Sequence, residues 1–167
     1  MVKPTVQFSM IAEVDKNKLG VFFLDASLYG KFVKKLLELM DEKECEFWYS
    51  ELPRSKKDVS LSRAYKLAEE FPFLKKWKAK VKPHFIQDKS GFYIGISCKV
   101  DVSMVDKVID DMMGFNYLEP KLITPSLKII CSHEGYLEIE THPSNLERLR
   151  KFCKKALEVI IGGGSKV

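Results

Sequence analysis

The stretch Gly91-Phe92-Tyr93-Ile94-Gly95-Ile96-Ser97-Cys98-Lys99-Val100-Asp101-Val102-Ser103-Met104 decides the fold. Phe92, Ile94, Ile96, Cys98 and Val100 alternate with Tyr93, Gly95, Ser97, Lys99 and Asp101, a period of two that puts one set on the buried face of a strand. The alternation ends at Asp101-Val102-Ser103-Met104. There a serine hydroxyl can cap the free N–H groups of a first helical turn, and the preceding carboxylate suits the positive helix end. A strand therefore runs directly into a helix.

The same phrase recurs at Asp25-Ala26-Ser27-Leu28 and Asp58-Val59-Ser60-Leu61, with a looser echo at His142-Pro143-Ser144-Asn145. Helices are expected to start near residues 27, 60, 103 and 144. Ser144 with Glu147 has capping-box spacing, and Ser103 with Asp106 approaches it. Leu28, Phe32, Leu36, Leu37 and Met40 form the apolar stripe of the first helix. Leu61, Ala64, Leu67, Ala68 and Phe71 form that of the second, which Pro72 stops. The third runs from Ser103 to Met113. The last carries Leu146, Leu149, Cys153, Leu157 and Ile160 and is expected to stop at Gly162-Gly163-Gly164, leaving residues 162–167 as a flexible tail.

Hairpin turns are expected at Asp15-Lys16-Asn17-Lys18, Asp88-Lys89-Ser90-Gly91 and His133-Glu134-Gly135, where polar residues stand beside a glycine or asparagine. The element order suggests an internal duplication, β-β-α-β-(β)-α, within a single α+β domain over residues 1–161 whose halves are about 1–79 and 80–161. The first half has 15 basic and 12 acidic residues and the second 13 and 11 from residue 80 to the end, so neither is a charged tail. The predicted architecture is a two-layer sandwich: a mainly antiparallel sheet with four helices packed on it.

Composition agrees with a packed domain. The 167 residues are 46% hydrophobic and 31% charged, which excludes disordered, collagenous and low-complexity classes. The 28 basic residues comprise 24 Lys and 4 Arg, beside only 2 Gln and 3 Asn, a thermophile-like bias. A net charge of +5 permits nucleic-acid contact without requiring it. No secretory leader or membrane-length apolar run is visible, so a cytoplasmic location without membrane contact is expected. Cys45, Cys98, Cys131 and Cys153 are widely spaced and fit reduced core thiols.

No catalytic, metal or cofactor site emerges. Cys131, His133, His142 and Cys153 are the right ligand types, but a hairpin turn at His133 separates it from His142 by roughly 20 Å at about 3.4 Å per residue. Gly91-Phe92-Tyr93-Ile94-Gly95 lies inside a strand and cradles no phosphate. No nucleophile elbow is present. Asp106 and Asp110 share a helix face at i and i+4, which reads as a solvated face with Lys107 and Asp111.

Two basic surfaces remain. The run Lys75-Lys76-Trp77-Lys78-Ala79-Lys80-Val81-Lys82-Pro83-His84 holds five Lys and no acid. Read as a strand, it points Lys76, Lys78, Lys80 and Lys82 one way, able to follow a phosphate backbone, with Trp77 on the other side for packing or stacking. The same lysines would equally protect an exposed sheet edge. Arg148, Arg150, Lys151, Lys154 and Lys155 make the polar side of the last helix a second basic surface.

These features point to a binding module for RNA, DNA or a ribonucleoprotein. The alternative is a ligand-binding or homodimerising surface on the open sheet face, where alternation places Tyr93, Ser97, Lys99, Tyr136, Glu138, Glu140 and Phe23; Tyr93, Tyr136, Glu138 and Glu140 would be its working residues. The acidic stretch Glu38, Asp41, Glu42, Glu44 and Glu46 could also meet the lysines of a second copy or a partner protein.

Overall fold

The computed structural model describes residues 10–23, 26–50, 55–69, 81–89, 91–113, 121–132 and 135–165. The chain is mixed α+β, with antiparallel strand pairs, and it divides into two compact units. One combines Met1–Cys45 with Asp101–Val167, and the other is Glu46–Val100. No helix among the described residues is long and apolar enough to cross a membrane.

The first unit contains β1 (Met10–Asp15), β2 (Lys18–Phe22), α1 (Tyr29–Leu39), α3 (Val105–Met113), β6 (Lys121–Ile123), β7 (Lys128–Cys131), β8 (Tyr136–Glu140) and α4 (Leu146–Ser165). Its strands lie in the order β1-β2-β8-β7-β6, every neighbouring pair antiparallel. Register is set by burial. Leu19 faces Ile139, Ile139 faces Ile129, and Ile129 faces Leu122, so four fully buried side chains form one row. The helices cover this face: α1 packs against α3 and α4, and α4 against β1 and β2. The opposite face carries Lys18, Phe22, Tyr136, Glu138, Glu140 and Lys128, none of them buried.

Two turns in this unit depend on particular residues. Gly135 has φ +86°, and a Cβ there would stand 2.8 Å from the Phe23 carbonyl oxygen, which explains glycine at the predicted third turn. The turn between β6 and β7 is held by Thr124, whose Oγ1 accepts from Leu127 N–H at 3.0 Å. Thr141 Oγ1 donates to the Ser126 carbonyl at 2.9 Å and ties that turn to the end of β8. Phe23, expected on the open face, is 6% exposed; its ring meets Tyr29 and Phe32 edge-on with centroids at 5.0 and 5.3 Å. The strand ends at Phe22, so the period-two rule no longer governs the next side chain.

The helices begin near the expected positions, but the capping chemistry differs. Short 3₁₀ turns, Ala26–Leu28, Val102–Met104 and Pro143–Asn145, precede α1, α3 and α4. At the second turn Asp101 is the cap: its Oδ1 accepts from both the N–H and the hydroxyl of Ser103, at 3.0 and 2.9 Å. His142 plays the same part before α4, its Nδ1 accepting from Ser144 N–H at 3.2 Å. Ser60 caps directly, its Oγ accepting from Arg63 N–H at 3.1 Å. The extended residue before the turn points a short acceptor at the free amides, so the cap shifts two residues toward the N-terminus.

Two further expectations are corrected. Helix α4 continues through Gly162-Gly163-Gly164 to Ser165 instead of stopping; glycine costs about 1 kcal/mol in a helix yet does not forbid it. Asp106 and Asp110 are not a plain solvated face. A Cβ on Gly30 of α1 would lie 2.6 Å from the Asp106 carbonyl oxygen and 2.8 Å from Asp110 Oδ1, so α1 and α3 meet backbone to backbone there. Lys34 Nζ pairs with Asp106 Oδ2 at 3.7 Å. Desolvation, then repulsion from Asp106 and Asp111, raises the Asp110 carboxyl above its ordinary range despite Lys31.

The second unit holds β3 (Glu44–Ser50) from Glu46 onward, α2 (Leu61–Glu69), β4 (Lys82–Asp88) and β5 (Gly91–Asp101) up to Val100. The strand order is β3-β5-β4. β4 and β5 pair antiparallel from Lys82↔Ser97 to Asp88↔Gly91. α2 packs on β4 and buries Ala64, Leu67 and Ala68.

Candidate functional site

The β4/β5 register puts Lys82 opposite Ser97 and His84 opposite Gly95, so these four positions share one sheet face. That face is built over β5, where Ile94 through Cys98 are all buried. Ser97, expected on an open face, is 2% exposed, in a strand that runs between β3 and β4. From β4, His84 reaches diagonally to place Nε2 2.6 Å from Ser97 Oγ. From β3, Trp48 stacks on the imidazole with centroids 4.0 Å apart and an interplanar angle of 24°. Gly95 leaves room for this: a Cβ there would come within 3.3 Å of the Tyr49 carbonyl oxygen and 3.6 Å of His84 Cβ.

Beside the stack lies a cavity of about 290 Å³ lined by Glu46, Lys82, Ser97, Cys98 and Lys99. Lys82 and Lys99 are exposed and Glu46 half-buried, giving two ammonium groups against one carboxylate. Burial pulls the His84 pKa below its ordinary value, with Lys82 adding to the fall and Glu46 opposing it. The shift favours the neutral imidazole. Burial, then Glu46, pushes the Cys98 thiol up to about 11, so it is no thiolate nucleophile. The Ser97 hydroxyl is engaged by His84 and nearly inaccessible, which makes it an orienting group for the ring. Lys82 and Lys99 thus stand at the rim of one cavity beside the Trp48–His84 stack.

Of the lysine run, Lys82 opens β4, whereas Lys75, Lys76, Trp77, Lys78 and Lys80 lie outside the described residues. On α4, Arg148, Lys151, Lys154 and Lys155 are exposed and Arg150 is half-buried. The Arg148 guanidinium carbon sits 5.2 Å from the Phe152 ring centroid, a cation–π contact that steadies it. Tyr93 is half-buried and belongs to the second unit, whereas Tyr136, Glu138 and Glu140 line the open face of the first. There Phe22 packs on Tyr136 at 4.9 Å, Lys18 pairs with Glu138 at 3.8 Å, and Asn17 donates to Glu140 at 3.4 Å. Burial, followed by Glu138, raises the Tyr136 hydroxyl pKa. Burial also pushes the Cys131 and Cys153 thiols up to about 12, as suits core residues.

Sequence reasoning missed Trp48, His84 and Glu46 as partners. The signal lay in the predicted turn at Asp88–Gly91: counting back from it pairs position 84 with 95 and 82 with 97. Comparison with protein-family models, curated proteins and solved structures finds no match to this chain.

Proposed function

We propose that this protein is a nucleic-acid-binding module, with a cytoplasmic role in binding single-stranded RNA or DNA or a ribonucleoprotein. The observation that carries this reading is that Lys82 and Lys99 border one cavity beside the Trp48–His84 stack. Ammonium groups spaced around a concavity suit phosphate oxygens, and aromatic faces at its edge suit unstacked bases. Lys75, Lys76, Lys78 and Lys80 precede Lys82 in the chain and would extend the phosphate track, with Trp77 among them. Arg148, Arg150, Lys151, Lys154 and Lys155 form a separate basic contact. The reading includes an internal duplication with halves of about 1–79 and 80–161, which draws support from a run of hairpin, 3₁₀ turn and helix in each, ending in α1 and α3.

Fluorescence anisotropy with labelled single- and double-stranded RNA and DNA, across about 50 to 200 mM salt, tests this reading. Wild type should bind single strands at micromolar or tighter affinity with a steep salt dependence. Lys82→Glu/Lys99→Glu should reduce the slope of log K against log salt by about 1.4, since each single-strand phosphate that is no longer neutralised removes about 0.7. Affinity and slope equal to wild type in that variant would contradict the assignment.

A second reading has its own observation. The exposed Phe22 ring packed on Tyr136 offers an aromatic patch suited to a small ligand or a dimer seam. It competes with the ion pair and hydrogen bond that already occupy Glu138 and Glu140.

A further inference from the structure

Strand β4 ends the order β3-β5-β4 and pairs with β5 along one side. Among the described residues no strand pairs along its other side. Edge strands are commonly shortened or blunted with charge, because a bare edge is a template for another strand. This one is seven residues long and exposes two large apolar side chains, Phe85 at 53% and Ile86 at 37%. On the Phe85 side a shallow groove of about 370 Å³ is lined by Lys56, Val59, Ser60, Leu61, Phe85 and Phe92, with Leu61 itself 51% exposed.

The sequence of the edge is self-complementary. It reads Lys82-Pro83-His84-Phe85-Ile86-Gln87-Asp88, with a cation at its start and an anion at its end. Antiparallel pairing of two such strands about a two-fold axis at Phe85 places Lys82 opposite Asp88 of the partner subunit at both ends. His84 then faces Ile86 of the partner subunit, and Phe85 faces its own equivalent at the centre. Directly opposite positions bring Cβ atoms to about 4.5–5.5 Å, where aromatic pairs and opposite charges both attract. Pro83 faces Gln87 of the partner subunit; a proline one residue inside an edge strand removes at most one bond per chain, which such edges tolerate. The central phenylalanines would fill the grooves that Val59, Leu61 and Phe92 line in each copy. An isologous contact of this kind closes on itself, so it satisfies the edge without growing a fibre.

We infer that β4 is a homodimerisation edge, pairing antiparallel with β4 of a second copy of this chain about Phe85. This surface is distinct from the open face carrying Tyr136, Glu138 and Glu140; it shares Lys82 with the proposed phosphate contact, and the test below contains no nucleic acid.

Sedimentation equilibrium without nucleic acid tests it. At about 100 μM, a concentration at which a micromolar dimer is well populated, wild type should have twice the 19.3 kDa chain mass. Lys82→Asp sets two pairs of like charges across the axis and should weaken the dimer at least about tenfold. The swap Lys82→Asp/Asp88→Lys should restore it. Phe85→Glu replaces an exposed side chain and should give a monomer with an unchanged circular dichroism spectrum. A monomeric wild type overturns the inference. So does a dimer that Lys82→Asp and Phe85→Glu leave intact, or one that the charge swap fails to rescue.

Discussion

His84 is acted on by four neighbours at once. Ser97 fixes its Nε2 at 2.6 Å, Trp48 covers one face of the ring, and Glu46 and Lys82 pull its proton affinity in opposite directions. Burial decides the sum, so the folded-state pKa lies below 6.5. Between that lower value and 6.5 the unfolded chain binds more protons than the folded one. The stabilisation is therefore complete above pH 6.5 and is lost as pH falls through the folded pKa. An NMR titration of the His84 ring should give a midpoint below 6.5, and Glu46→Gln should lower it further because the carboxylate favours the charged ring. A midpoint at or above 6.5 would mean that the ring is solvated and the cavity misdescribed. None of this was legible in the sequence, where His84 appeared only as the end of a lysine run. Its partners come from strands 36 and 13 positions away, and no local pattern records such distances.

At the level of elements, the helix starts were legible because a cap is a local event: an acceptor, a free amide and two or three residues between them. The identity of the acceptor was less so. Serine and aspartate two residues apart are both capable, and the backbone entering the turn chooses Asp101 over Ser103. Helix packing was invisible at Gly30, where no local pattern marks a contact with a distant helix. It is the point where α1 meets the backbone of α3, and the missing side chain permits the approach. Gly30→Ala should destabilise the fold by about 1–3 kcal/mol, the usual cost of forcing a methyl group into a closed contact, even though alanine is the better helix former. Urea unfolding measures this directly. An unchanged or raised midpoint would show that α1 and α3 do not touch as described.

Across the whole molecule, alternation along β5 found the strand but not its surroundings. Period-two reasoning assumes one wet face, and from Ile94 to Cys98 β5 has none. Tyr136, Glu138 and Glu140 stay half-buried because their strand is covered on one side only, whereas Ser97, on a strand buried on both faces, is not open as expected. The compact units follow contacts between distant segments, and no composition shift marks residue 46 or residue 100. Charge was legible as a total of +5, whereas the meeting of Lys82 with Lys99 required the register of a hairpin.

Amide chemical-shift mapping of the isotope-labelled protein, during titration with a single-stranded oligonucleotide at low salt, tests directly whether the cavity beside Trp48 and His84 binds nucleic acid. The largest shifts should fall on Lys82, His84, Ser97 and Lys99, with the Trp48 indole moving alongside them. Shifts confined to Tyr136–Glu140 or to the last helix, or no shifts at all, would contradict binding there.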